Sequence, residues 1–172
     1  ASLSVNNREI IVRELERNEI DVAIMGVPPP RLEAKATLFA DHPLVVIAPP
    51  AHPLAASRRI ALASLADETF LVREQGSGTR SSMERFFAER GFVPKIGNVM
   101  SSNETIKQAV MADMGLAFIS RHTIGFELQM GRLVELDIVG MPLMRRWYVV
   151  HRAGRFMTRA AMAFVEFVVA SA

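Results

Sequence analysis

Hydrophobic positions near the start of the chain follow first a helical and then a strand-like pattern. Asn7 can cap a helix, and Ile11 and Leu15 recur at four-residue spacing on one face of it. Asn18 is suited to end that helix. Residues 20–25 then form a nearly continuous apolar run, which is typical of a strand covered on both faces. The pattern predicts a helix followed by a buried strand.

The same order returns in residues 101–121. Ser102 or Asn103 can cap a helix that has Ile106 and Val110 on its apolar stripe, and a short apolar strand follows. Two helix–strand units of this design predict two α/β lobes.

Further apolar segments predict the remaining elements. Strands are expected in residues 42–55 (ending in a proline-broken loop), 68–74, 131–140 and 143–152, and a final helix in residues 158–170. Strands that alternate with helices predict α/β layers with a largely parallel sheet.

The segment EQGSGTRSSMERFF, residues 74–87, carries the most informative polar pattern. A Gly-Ser-Gly run precedes a helix that could begin at Ser77, Thr79 or Ser81, and Ser81 has capping-box spacing to Glu84. A helix start offers unpaired N–H donors, and Arg80 adds a guanidinium suited to phosphate or carboxylate. The segment therefore predicts an anion site, although the same residues would also serve as an ordinary turn and cap.

A second polar helix start lies at Ser101, Ser102 and Asn103. In open α/β sheets, ligands collect at the carboxyl ends of the strands, where such helix starts converge. Together with the loop at residues 26–30, the two helix starts are expected to line one cleft. Capping alone is the competing interpretation of this second start.

The composition excludes several classes of protein. The 172 residues are 50% hydrophobic and 22% charged, which is typical of a globular protein, and no apolar run approaches the ~20 residues of a membrane span. A net charge of +2 does not predict a nucleic-acid-binding surface. The lack of cysteine excludes disulfides and thiolate metal sites. With no signal-like segment, the sequence predicts a cytoplasmic location.

The residues offer no basis for catalysis or cofactor binding. The four histidines are scattered, without metal-ligand spacing and without a nucleophile motif. His42 and His52, each before a proline, are interpreted as turn residues. Arg145 and Arg146 are interpreted as a solvated strand edge or a subunit contact. We therefore predict no enzyme, no metal and no cofactor.

Five segments, in this order, resemble the effector-binding domain of LysR-type transcriptional regulators, and most of all the CbbR-type regulators of carbon-fixation operons. They are NNREIIVRELERNEIDVAIMG, HPLVVIAPPAHPLA, FLVREQGSGTRSSMERFF, SSNETIKQAVMADMGLAFIS and GRLVELDIVGMPLMRRWYVVHR. The resemblance implies two Rossmann-like lobes of the periplasmic-binding-protein type II kind, joined by two crossover strands. Lobe I would comprise residues 1–50 and 140–172, with its N-terminal strand and helix missing, and lobe II residues 51–139.

The resemblance also implies a site and partners. An anionic, phosphorylated metabolite would bind in the cleft between the lobes, on Gly26, Val27, Pro28, Ser77, Gly78, Thr79, Arg80, Ser101, Ser102, Asn103 and Ser120. The domain would form a homodimer through the helices and strands of lobe I and a tetramer in the full-length protein. It would contact DNA only through a helix-turn-helix domain that is not among these residues, and would not contact a membrane.

Three functions compete at this point. The first is a non-enzymatic ligand sensor that passes a change of lobe angle to DNA-binding domains. The second is a solute- or oxyanion-binding protein of a transport system, which uses the same two-lobe design. The third, a small α/β enzyme, lacks an acid–base or nucleophile constellation.

Overall fold

The computed structural model describes residues 2–171. The sequence-predicted outer bounds of lobe I, residues 1 and 172, lie outside the described residues. The helices are α1 (Arg8–Glu16), α2 (Gly78–Ala88), α3 (Asn103–Met111), α4 (Gly125–Gln129) and α5 (Arg159–Ala170). The strands are β1 (Ala23–Met25), β2 (Ala34–Ala48), β3 (Thr69–Arg73), β4 (Lys95–Met100), β5 (Leu116–Ser120), β6 (Val134–Glu135) and β7 (Leu143–Arg152). Among the described residues, no helix combines the length and apolar character needed to cross a bilayer.

The chain divides into two compact units. The first consists of Ala1–His42 and Arg145–Ala172, and the second of Pro43–Met144. Strands β2 and β7 run from one unit into the other. We still predict that these units correspond to the two regulatory lobes. The lobe boundaries expected at residues 50 and 140 also stay predictions.

The first unit is built on α1, β1 and β7. The side chain of Asn7 caps α1 by accepting a hydrogen bond from the Ile10 N–H, as the sequence predicted. Leu15 is fully buried in a small core with Met25 and Val150. Strand β1 pairs antiparallel with β7.

Strand β1 departs from the sequence prediction. The expected strand of residues 20–25 covered on both faces is wrong, because only Ala23–Met25 form a strand and Ile24 is 45% exposed. Ala23 and Met25, on the other face, are buried. The strand therefore has one solvated face, although its apolar sequence predicted that both faces would be buried.

Helix α5 is the most exposed apolar element of the first unit. Thr158 caps it by accepting a hydrogen bond from the Ala161 N–H. No residue of α5 is buried among those described, and Phe164 and Phe167 are 44% and 68% exposed. The apolar side chains of α5 therefore stay at least partly exposed to solvent.

The second unit has helices on both faces of its sheet, whose strand order is β2-β5-β3-β4 with β6 beside β2. Phe70 and Val72 of β3 pack with Phe86 and Phe87 of α2 in one core. Leu71, which points to the opposite face, packs in the other core, with α3. Each buried aromatic side chain stabilises the fold by about 1.5–3 kcal/mol. This two-sided packing explains why β3 and β5 have continuous apolar sequences.

The strand pairing is mixed, so the prediction of a largely parallel sheet is wrong. Strand β3 pairs in parallel with β4 and β5, whereas β2 pairs antiparallel with β5 and β6. The parallel strands are those connected through α2 and α3, since parallel neighbours require a crossover. The carboxyl ends of β3, β4 and β5 consequently meet at one edge.

Candidate functional site

Most of the predicted site residues lie at the edge where the three parallel strands end. Arg73 is paired with Met100, and the Glu74 N–H donates to the Met100 carbonyl at 3.0 Å. Helix α2 follows β3 after a short loop, and α3 follows β4 after two residues. We call this region the polar edge and define it as residues 73–80, 101–103 and Ser120.

The start of α2 lies within the polar edge, and the side chain of its N-cap residue does not cap it. Gly76 has φ of 83°, a conformation that other residues rarely adopt, and turns the chain toward the helix. Ser77 is the N-cap residue and is 2% exposed, yet its side chain makes no capping hydrogen bond. None of the described residues in the first turn of α2 is acidic. Neither the Ser77 hydroxyl nor an acid in the first turn therefore complements the positive end of this helix.

The start of α3 is different. The Ser102 hydroxyl accepts a hydrogen bond from the Glu104 N–H at 3.1 Å, and Glu104 places a carboxylate in the first turn. The hydrogen bond from Lys107 holds the pKa of Glu104 below its ordinary value. Ser101, the remaining predicted residue of this segment, is exposed. This helix start therefore has a side-chain cap and an acidic first turn of its own.

Arg80 is held against the protein. Its Nε donates to Glu84 Oε1 at 2.8 Å and its Nη1 to the Arg73 carbonyl at 3.1 Å, and its side chain is 14% exposed. The capping box of Ser81 and Glu84 does not form, because the helix begins at Gly78 and Glu84 binds Arg80. Contact between Arg80 and an anion stays a prediction.

Arg73 is a member of the polar edge that the sequence analysis missed. Its Nε and Nη2 donate to the two carboxylate oxygens of Glu74 at 2.8 and 3.0 Å. Its Nη1 donates to Asn103 Oδ1 at 2.8 Å, so that the end of β3 is joined to the start of α3. The available signal was a charged residue at the end of a buried strand, directly before a glycine-rich loop.

Ser120 ends β5 at the same edge as Arg73 and Met100. It is buried, and its carbonyl accepts a hydrogen bond from the Thr123 hydroxyl at 2.8 Å. The structure thus brings together the predicted residues of the second unit: Ser77, Gly78, Thr79, Arg80, Ser101, Ser102, Asn103 and Ser120.

The other three predicted residues, Gly26, Val27 and Pro28, belong to the first unit and follow β1. Arg8 Nε donates to the Val27 carbonyl at 3.3 Å. A Cβ atom added to Gly26 would overlap the guanidinium of Arg145. Arg145 is only 9% exposed, so its interpretation as solvated is wrong. Its side chain is buried because a glycine leaves room for it.

The described part of the chain offers no group of three or more histidine, aspartate or glutamate residues that could hold a metal ion. His42 stacks on Trp147 with ring centroids 4.0 Å apart, and it lies inside β2 rather than in a turn as predicted. His52 Nδ1 accepts a hydrogen bond from the Leu54 N–H at 3.2 Å, and its Nε2 lies 3.4 Å from Glu68 Oε2. Both rings make structural contacts.

The model of the LysR substrate binding domain matches residues 1–172. The chain belongs to this family. The LysR substrate-binding domain has a mixed α/β fold of the periplasmic-binding-protein type, which confirms the predicted fold class and the resemblance.

Two curated relatives of this LysR domain are transcriptional regulators. The RuBisCO operon transcriptional regulator of Allochromatium vinosum is 54% identical over 170 residues, which is 99% of this chain and 56% of the relative. The HTH-type transcriptional regulator CbbR of Rhizobium meliloti is 49% identical over 171 residues, which is 99% of this chain and 55% of the relative. The chain therefore spans little more than half the length of these relatives.

A solved structure of similar fold is the regulatory domain of CcmR from Synechocystis PCC6803 in complex with 2-PG. It has a TM-score of 0.94 and 38% sequence identity to this LysR domain, and the match covers 99% of this chain and 82% of that one.

Proposed function

We propose that this chain is the effector-binding domain of a CbbR-type transcriptional regulator and binds a small phosphorylated anion at the polar edge. The observation that carries the proposal is the start of α2, where the Ser77 side chain makes no capping hydrogen bond and the described first turn holds no acid. The relatives add independent support, since they are regulators and the CcmR domain is bound to 2-PG. The predicted inter-lobe site remains part of this proposal.

The donors at the start of α2 suit an anion that carries several oxygens. The first N–H groups of an α-helix have no partner within the helix, and they point toward its positive end. The Thr79 hydroxyl can add one further donor, and the buried position of Ser77 keeps water from surrounding the bound group. A hydrogen bond to a charged group contributes about 1.5–3 kcal/mol, so the loss of one donor weakens binding by about ten- to hundredfold.

The direct test is a calorimetric titration of the 172-residue chain with a panel of anions. The panel comprises 2-phosphoglycolate, ribulose bisphosphate, phosphoenolpyruvate, ATP, NADPH, phosphate, sulfate and glycolate. We expect saturable binding of one phosphorylated metabolite and none of glycolate. Thr79→Ala should weaken that binding about tenfold. The matched control, Thr37→Ala, makes the same change at an exposed residue of β2 and should leave the Kd unchanged.

The choice of Thr79 follows from the contacts at the start of α2. Arg80→Ala would also break the hydrogen bonds to Glu84 and to the Arg73 carbonyl, so a change in affinity could follow from a shifted helix. Binding that Thr79→Ala and Thr37→Ala change equally would contradict a site at the polar edge.

The same titration separates the regulator from the transport protein. A transport protein for oxyanions would bind bare phosphate or sulfate more tightly than any metabolite in the panel. The curated relatives reported above are regulators, and we propose the same role here, without catalysis.

We also propose that the domain acts within a larger cytoplasmic regulator. DNA contact would belong to a separate helix-turn-helix domain, and the full-length protein would be a tetramer of domains that pair through the first unit. The exposed apolar residues of α5, including Phe164 and Phe167, support such pairing together with α1. Sedimentation should show a dimer at micromolar concentration that Phe167→Ser weakens, and a strict monomer would contradict the pairing.

A further inference from the structure

Arg73 donates more side-chain hydrogen bonds than Arg80, the other cation of the polar edge. Its side chain is 15% exposed, and its partner Glu74 is 24% exposed. The paired N–H groups facing both oxygens of Glu74 make a bidentate ion pair, which is the strongest arrangement available to an arginine. The positive charge of Arg73 is therefore largely neutralised before any ligand arrives.

The third donor group of Arg73 determines how Asn103 is oriented. Arginine has donors only, so the atom of Asn103 that lies 2.8 Å from Nη1 must be the acceptor, Oδ1. The two donors of Asn103 Nδ2 consequently point away from Arg73. No residue within 2–171 accepts a hydrogen bond from Nδ2, and Asn103 is half-buried at the start of α3. The carboxamide is thus fixed with its donor side open.

We propose that Arg73 is a positioning residue for anion recognition, which acts by holding the Asn103 carboxamide with its NH₂ group toward the bound anion. This inference rests on the proposed function, because it assigns Asn103 as a donor to the same anion. Arg73 contributes no direct contact of its own. Without Arg73 the carboxamide would rotate freely and offer its oxygen, an unfavourable partner for an anion, as often as its nitrogen.

A double-mutant cycle on anion affinity tests this mechanism. We expect Arg73→Met, made together with Glu74→Gln so that no carboxylate loses its partner, to raise the Kd about tenfold relative to Glu74→Gln alone, and to have no further effect in an Asn103→Ala background, because Arg73 and Asn103 act through one contact. Arg85→Met, the same change at an exposed arginine of α2, is the control and should not alter the Kd. An equal loss from Arg73→Met in both backgrounds, or no loss in either, would overturn the proposal.

Asn103→Asp separates positioning from stability. Aspartate keeps an oxygen for Arg73 to bind but removes both Nδ2 donors and adds a negative charge. The Tm should be retained or raised, whereas the Kd for the anion should rise more than tenfold. Unchanged affinity would show that the NH₂ group is not a ligand donor.

A measurement without ligand keeps this inference distinct from the proposed function. The side-chain NH₂ signals of Asn103, assigned by their loss in Asn103→Ala, should be dispersed in NMR spectra of the wild type and should move to unfolded-chain positions in Arg73→Met. Signals that Arg73→Met leaves unchanged would overturn the positioning by Arg73. If these signals move but the wild type binds no anion of the panel, the proposed function fails, and the recognition role of Arg73 fails with it.

Discussion

The two helix starts of the polar edge differ although their sequences look alike. Both follow parallel strands, and both have a serine as the N-cap residue. Ser102 caps α3, which also carries Glu104 in its first turn, whereas Ser77 is buried and leaves α2 without a side-chain cap. One helix start has a side-chain cap and an acidic first turn, and the other has neither. A serine before a helix therefore does not identify a binding site until the use of its hydroxyl is known.

The largest effect is expected at the ion pairs that join α3 to α4. Lys107 is 9% exposed and bridges Glu104 of α3 and Glu127 of α4, at 2.7 and 2.6 Å. Lys107→Met should destabilise the fold by about 3 kcal/mol, because it leaves the nearly buried Glu127 carboxylate without its partner. Denaturant unfolding measures this loss. The double variant with Glu127→Leu should recover much of it, and a destabilisation that persists there would contradict the ion-pair explanation.

The next change gives α2 the acidic first turn of α3. Thr79→Asp should abolish measurable anion binding, a loss of at least a hundredfold, because a carboxylate occupies the positive end of the helix and repels the ligand. The Tm should be unchanged or slightly higher, since an acid stabilises this end of a helix. Calorimetry and thermal unfolding together measure both effects.

The control for that variant is Thr105→Asp, which places the same charge on an exposed residue in the first turn of α3. Its effect on the Kd should be within twofold, because solvent screens an exposed charge. Equal losses from the two aspartates would indicate a general repulsion by net charge.

A smaller effect comes from removing each serine hydroxyl. Ser102→Ala should cost about 1 kcal/mol of stability through the lost cap. Ser77→Ala should leave stability within about 0.5 kcal/mol, since its hydroxyl does not cap α2. Chemical denaturation compares the two variants, and equal losses of stability would remove the distinction between the helix starts.

The smallest effect is a loss of stability at acidic pH. Because the hydrogen bond from Lys107 lowers the pKa of Glu104, the unfolded state takes up this proton at higher pH than the folded state. The stabilisation is therefore present above the ordinary value of 4.5 and is lost as the pH falls through the lower folded pKa. Urea unfolding between pH 6 and about pH 3 should show this slope, and Glu104→Gln should reduce it. No difference between the variant and the wild type would show that Glu104 does not contribute.

The spacing of apolar residues predicted the helices and strands that pack on a core through a regular apolar stripe of their own. Leu15 in α1 and Phe86 and Phe87 in α2 are fully buried where the helical pattern placed an apolar face. Strand β7 occupies the predicted residues 143–152. These agreements arise because a stripe of apolar residues has no stable alternative to packing on a core.

Contacts between distant residues could not be predicted in this way. The hydrogen bond from Arg73 to Asn103 spans 30 positions and requires β3 and β4 to end in register. The spacing of apolar residues did not predict strand β4, because its residues are mostly exposed and, among the described residues, it lies at the end of the strand order beside β3. The predicted strand at residues 131–140 shrinks to Val134 and Glu135.

The contact between Gly26 and Arg145 has a consequence for the history of the sequence. The backbone of Gly26 needs no unusual dihedral angle, so the glycine is kept by the space that the guanidinium fills. The two positions are expected to change together during divergence. In relatives that carry a larger residue at position 26, position 145 should hold a shorter side chain, and in a saturation mutagenesis screen Gly26→Ala should be tolerated better beside Arg145→Ala than beside arginine.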